Sequence, residues 1–189
     1  MAHDQQIKFC LGVKHLFPGM FYESNVLDVG SFDCNGSNKF LFDSCEFTGI
    51  DIADGPGVDA VCPGQEYDAP DSYFDTIIST ECFEHNPFVK ETIENIVRML
   101  RPGGLFLFTC ATTGRPVHGV ASMEKTCSSQ YSDWKTLPNV RLESWDNEYY
   151  RNLDENDIRE IINIDSVFLK HEFSINREHC DLYFWGIKK

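Results

Sequence analysis

At 189 residues, 42% of them hydrophobic and 24% charged, the chain is long enough for one fully cored domain and too ordinary in composition to be disordered or fibrous. Its net charge of −14, with Lys and Arg dispersed along the chain, disfavours a nucleic-acid partner, because backbone binding draws its affinity from basic patches. No apolar run reaches membrane-spanning length, and Met1 to Gln6 lack the basic-then-apolar layout of a secretory signal, so a cytoplasmic protein without membrane contact is expected. The eight cysteines are scattered, with no Cys-x-x-Cys pair, which predicts reduced thiols.

Short apolar runs alternate with amphipathic stretches, the pattern of βαβ units on a mostly parallel sheet. Gln5 to Phe17 reads as a helix stopped by Pro18-Gly19, followed by a strand over Asn25 to Val29 and a helix over Asn35 to Asp43. Glu46 to Ile52 is a second strand, Val58 to Cys62 a short third, and Phe74 to Ser79 a fourth, apolar enough to be buried on both faces. Val89, Ile93, Ile96, Val97 and Leu100 then form one helical stripe, ended by Arg101-Pro102-Gly103-Gly104. Leu105 to Cys110 is a fifth strand. Ala111 to Asn152 has no clean period and reads as an irregular insertion over the active site, within a single domain spanning 1–189. Asp154 to Ile164 is a helix with acidic residues in its first turn, and Val167 to Ile175 with Leu182 to Ile187 form an antiparallel pair.

Ligands of open α/β sheets bind at the carboxyl ends of the strands. There this sequence carries Asp28, Gly30 and Ser31 after the first strand, Asp51 after the second, and Ser79-Thr80-Glu81 leading into Glu84-His85 after the fourth. Gly30 lets the backbone approach a ligand, and Asp51 suits a ribose diol. The G-x-G-x-x-G nicotinamide fingerprint is missing, which argues against an oxidoreductase.

With these pieces in order, the chain resembles the class I S-adenosylmethionine-dependent methyltransferases over nearly its whole length. VLDVGS resembles the cofactor loop, GIDI the ribose-binding strand end, FDTIISTECFEH the fourth-strand motif, and MLRPGGLFLFT the helix–turn–fifth-strand signature. The resemblance implies a single-domain Rossmann-like α/β fold: a mostly parallel seven-stranded sheet with an antiparallel C-terminal strand and helices on both faces. It implies S-adenosyl-L-methionine as cofactor, with Asp28, Gly30 and Ser31 bordering the methionine part and Thr80 at the neighbouring strand end. Asp51 would hold the ribose hydroxyls, Ile52 would pack on adenine, and the Gly64-Gln65 turn would face the adenine edge.

Two departures from the family pattern stand out. Phe32 and Cys34 replace the second and third loop glycines, so Asp33 or Asn35 is expected to take the turn conformation. Cys62-Pro63-Gly64-Gln65 lacks the acidic residue after the third strand, leaving a backbone carbonyl or Gln65 to serve the adenine amino group.

Glu81, Glu84 and His85 share one face if a helix begins at Glu81, a set suited to a divalent cation such as Mg or Mn. The spacing resembles that of small-RNA 3′-end 2′-O-methyltransferases and some ubiquinone-pathway O-methyltransferases, with His118 in the region of the fourth ligand. The competing reading has Glu84 and His85 merely capping a helix. Trp134 and Trp145 either line an acceptor pocket or pack the insertion, together with Tyr131, Tyr149 and Tyr150.

The expected activity is methyl transfer to a hydroxyl of a sugar or other small-molecule acceptor, with His85 or His118 as base. Two alternatives remain: a cofactor-binding module without catalysis that supports a partner protein, and a metal-dependent RNA 2′-O-methyltransferase. Acceptor identity and oligomeric state are not legible in the sequence.

Overall fold

The computed structural model describes residues 4–34, 36–119, 144–145 and 148–189. Strands β1 (Asn25–Val29), β2 (Glu46–Asp51), β3 (Ala60–Val61), β4 (Phe74–Thr80) and β5 (Leu100–Ala111) pair in parallel. After β6 (Ser144–Trp145) and β7 (Glu148–Tyr149), which form a separate two-stranded ladder, come β8 (Phe168–Asn176) and β9 (Asp181–Lys188). The seven-stranded sheet has the order β3-β2-β1-β4-β5-β9-β8, with β9 antiparallel to both neighbours. Strand order reverses between β1 and β4, so their carboxyl ends frame the crevice where such sheets bind ligands.

Alternation along the strands builds two cores, one on each face. Leu27, Val29, Ile77, Phe106 and Phe108 point to one face, under helices α2 (Val89–Met99), α3 (Glu155–Ile161) and α4 (Ile164–Val167). Val26, Ile78, Leu105 and Leu107 point to the other, where Cys10 and Val13 of α1 (Asp4–Leu16) cover them. The α2 stripe buries Val89, Ile93, Ile96 and Met99, and each fully buried side chain of this size contributes roughly 1.5–3 kcal/mol. Lys188 closes the last turn of α2 by donating to Val97 O and Leu100 O at 2.7 and 2.6 Å, satisfying carbonyls the helix leaves free. α3 begins with a reciprocal capping box between Asp154 and Asp157.

Two expected helices are not α-helices. Asn35 to Asp43 contracts to a single 3-10 turn, Asn38–Leu41. Asp33 Oδ1 accepts from Gly36 N–H and Ser37 Oγ from Lys39 N–H, so local side-chain bonds favour turns over a continuous helix. Glu81 to His85 is also irregular: Glu81 is left-handed (φ 52) and only Phe83–His85 forms a 3-10 turn. Glu81 N–H still donates to Thr109 O, so the chain follows the sheet one residue past β4 before it bends. Cys34 is disulfide-bonded, contrary to the expectation of reduced thiols throughout; Cys10, Cys45, Cys62, Cys82, Cys110 and Cys180 are free. Spacing along a chain carries no record of which cysteines the fold brings together.

Candidate active site

The loop after β1 is held against β2. Gly30 and Ser31 N–H both donate to Ile50 O, Phe32 N–H reaches Asp51 Oδ2 at 3.3 Å, and Asp33 N–H reaches Pro56 O at 2.8 Å. The left-handed positions are Gly30 (φ 82) and Gly36 (φ 118), not Asp33, while Asn35 lies outside the described residues. Phe32 finds room in place of a loop glycine because Gly55 lies beneath its ring, where an added Cβ would sit 2.2 Å from it. Gly30 in turn admits Cys82, whose sulfur would be 2.5 Å from a Cβ there.

Around this loop, buried polar atoms face inward without partners. Asp28 is 5% exposed and its Oδ1 has no hydrogen bond, nor do Ser31 Oγ and Asn38 Oδ1. Asn38 Nδ2 meets Thr80 Oγ1 at 3.3 Å, placing this residue of the 3-10 turn beside the β4 end. Burial, reinforced by the charge of Asp51, pushes the Asp28 carboxyl up to about 7. Asp51 ends β2 with its carboxylate also accepting from Ala53 N–H at 3.1 Å. Ile52 is half-buried beside it. Gly64 and Gln65 are fixed to α2, since Asn95 Nδ2 donates to Gly64 O at 2.9 Å and Thr92 Oγ1 to Gln65 Oε1 at 3.3 Å.

One turn further along, Glu84, His85 and His118 each offer a ligand atom, and these atoms lie within 4.8 Å of one another. Both oxygens of Glu84, His85 Nδ1 and His118 Nε2 are buried without hydrogen bonds. The imidazole rings are 5.5 Å apart, and His118 Nε2 is 3.8 Å from Glu84 Oε1. Burial holds His85 down to about 3, helped by His118, and burial also lowers His118. Burial with the neighbouring Glu81 raises the Glu84 carboxyl. Glu81 stands apart from the three: its Oε1 accepts from Thr109 Oγ1 at 2.8 Å, and its Oε2 is buried without a bond. The set thus meets through a left-handed residue and a 3-10 turn, not through the helical face expected from the spacing.

Tyr150 closes this cluster, with its ring 5.3 Å from His85 and 5.2 Å from His118. The aromatic run around it was visible in the sequence, but nothing there singled out this ring. The described ends of the irregular segment, 111–119 and 148–152, meet beside the cluster: Arg151 N–H donates to Glu84 O and Leu153 N–H to Ala111 O, both at 2.9 Å. Tyr131 and Trp134 lie outside the described residues, as does the side chain of Trp145.

A reversing parallel sheet closed by an antiparallel strand is the fold of the class I, Rossmann-like S-adenosylmethionine-dependent methyltransferases. Residues 1–122 match the profile of a methyltransferase-domain family, and the chain belongs to that family. Among solved structures it is similar to Burkholderia thailandensis 1,6-didemethyltoxoflavin-N1-methyltransferase, with bound 1,6-didemethyltoxoflavin and S-adenosylhomocysteine. There the TM-score is 0.62 and the identity 17%, over 97% of this chain and 78% of that one. Haemonchus contortus phosphoethanolamine N-methyltransferase 2 in complex with S-adenosyl-L-methionine gives 0.60 at 15% identity, over 96% of this chain and 52% of that one. This chain therefore spans about half the length of the Haemonchus enzyme. The YcgJ protein of Bacillus subtilis gives 0.59 at 11% identity, with 99% of each chain covered. At these identities the likeness is one of fold. No curated protein matches the sequence significantly. Among the described residues, no helix is long and apolar enough to cross a membrane.

Proposed function

We propose that the protein transfers the methyl group of S-adenosylmethionine to a hydroxyl of a small neutral acceptor such as a sugar, with a divalent cation held at Glu84, His85 and His118. The observation that carries this reading is the convergence of buried carboxyl and imidazole atoms without hydrogen-bond partners, from these three residues, at the carboxyl edge of the sheet. Buried polar atoms without partners are costly, and one cation between them would satisfy them together. A span of 4.8 Å is close to the roughly 4 Å that separates two ligands placed about 2.1 Å on opposite sides of one ion. Imidazole with carboxylate suits manganese better than magnesium on ligand softness.

On this reading Asp28, Gly30, Ser31 and Thr80 border the methionine end of the cofactor. Asp51 holds the ribose, Ile52 packs on adenine, and the Gly64-Gln65 turn faces its edge. Glu81, tied to Thr109, stands beside the ligand set without joining it. Held in line, cofactor and acceptor react without a covalent enzyme intermediate, and the positioning is worth several kcal/mol. If no cation is held, His85, kept neutral by burial, or His118 is the group placed to take the hydroxyl proton. A divalent cation bound here would polarise the acceptor oxygen and lower its pKa. The acidic chain favours a neutral acceptor over a polynucleotide.

The test is methyl transfer from labelled S-adenosylmethionine to panels of sugars, nucleosides, amines and RNA ends, with manganese or with chelator. Metal-stimulated ether formation on a neutral acceptor, lost in Glu84→Gln, is the expected result. Transfer indifferent to chelator and metal would overturn the cation reading, and transfer to nitrogen the hydroxyl acceptor. Transfer only to RNA ends would overturn the acceptor.

A further inference from the structure

His118 Nδ1 lies 3.1 Å from Pro116 O and 3.0 Å from Tyr150 Oη, and Tyr150 Oη lies 3.4 Å from the same carbonyl. A carbonyl oxygen can only accept, so a hydrogen bond to Pro116 places the ring proton on Nδ1. A tyrosine hydroxyl alone would leave the matter open, since it could donate to a bare Nδ1 as readily as accept from a protonated one. With the carbonyl present, one arrangement satisfies all three atoms. Nδ1–H is shared between Pro116 O and Tyr150 Oη, and the tyrosine proton turns to the carbonyl. Nε2 on the far side of the ring then carries a bare lone pair, 3.8 Å from Glu84 Oε1.

We propose that Tyr150 is a positioning residue that, together with the Pro116 carbonyl, locks His118 in its Nδ1–H tautomer and keeps Nε2 open toward Glu84. Pro116 sets the polarity of the lock. Tyr150 sets its place, because a carbonyl only two residues from the histidine has no other hold on the ring. The tyrosine is itself well anchored: it is 4% exposed and stacked edge-on against both imidazoles. The residues after it are tied down too, Arg151 N–H to Glu84 O and Leu153 N–H to Ala111 O, while Asn152 Nδ2 reaches Arg115 O at 2.9 Å. The segment that carries Tyr150 is thereby fastened to both the Glu84 turn and the stretch leading to His118. Histidines that bind metal are commonly oriented in this way by a partner on their other nitrogen, and loss of the partner weakens metal binding by about 10–100-fold.

What Nε2 is kept open for rests on the cation reading above; the tautomer does not. Histidine labelled with 15N reports the protonated nitrogen directly, and the unaltered protein is the first sample. A single Nδ1–H form of His118 is expected, and a proton on Nε2 would overturn the lock. In Tyr150→Phe, which keeps the ring and removes one oxygen, His118 should populate both tautomers. Manganese affinity, read by electron paramagnetic resonance, should fall about tenfold, with S-adenosylhomocysteine affinity and thermal midpoint unchanged. An unchanged His118 spectrum in that variant would reduce Tyr150 to a packing residue and refute its part in the lock. If the unaltered protein binds no manganese, the cation reading fails, and the nitrogen spectra still decide the lock on their own.

Discussion

Asp28 offers a prediction whose size follows from its surroundings. Its carboxyl is buried, lacks a partner on Oδ1, and titrates near 7 instead of the ordinary 3.8. The unfolded chain has released this proton by pH 6, whereas the folded chain still holds most of it. The folded state therefore binds more protons, and stability falls as pH rises from about 4 toward the folded value. At about 1.36 kcal/mol per pH unit, the full penalty is roughly 4 kcal/mol, of which about 3 kcal/mol is already present at pH 6. Asp28→Asn removes the titration while keeping the shape. Urea unfolding of both proteins without cofactor at pH 6.0 and 8.5 should show the unaltered chain losing on the order of 1 kcal/mol relative to the variant over that interval. Parallel stability curves would refute the argument, since they would mean that Asp28 is already ionised or solvated when folded. The same geometry predicts that a cationic ligand draws the proton off. S-adenosylmethionine binding at pH 6 should then release up to one proton, seen as a dependence of binding heat on the ionisation enthalpy of the buffer.

Other substitutions test separate parts of the structure. Asp51→Ala should weaken S-adenosylhomocysteine binding by about tenfold or more in calorimetry, since charge-assisted hydrogen bonds are worth about 1.5–3 kcal/mol each. Gly30→Ala places a Cβ 2.5 Å from Cys82 Sγ at a φ of 82, and a loss of about 1–3 kcal/mol is expected in denaturant unfolding. Adding Cys82→Gly should recover part of that loss. Asp154→Ala removes the α3 capping box and should lower stability by about 1 kcal/mol with no change in cofactor affinity.

The sheet was legible because its strands speak through burial. FDTIIS and LFLFTC have nowhere to go but the interior, and the Val89–Met99 stripe has one apolar side. The expected Asn35 to Asp43 helix does not form because Asp33 and Ser37 bond nearby backbone N–H groups and hold the chain in turns. The cluster of Glu84, His85 and His118 was visible as residue types, but its geometry was not. The expected helical face assumed regular backbone at Glu81, where the chain instead turns left-handed. Tyr150 and Thr109 were out of reach for another reason. Their roles arise from contacts 32 residues distant from His118 in one case and 28 from Glu81 in the other, and no local pattern encodes such meetings.

The position of β9 has a consequence for how the chain can be made. Among the described residues, β8 is made before the strand it pairs with, β9, which joins it to β5. Until residues 181–188 arrive, β5 shows an open edge of alternating leucine and phenylalanine, the kind of template that recruits other chains. A message cut short before Asp181 would therefore yield a product with the loop after β1 and Glu84 in place but a tendency to aggregate. Its synthesis places the closing strand after every other strand of the sheet, and assembly of that half must wait for it.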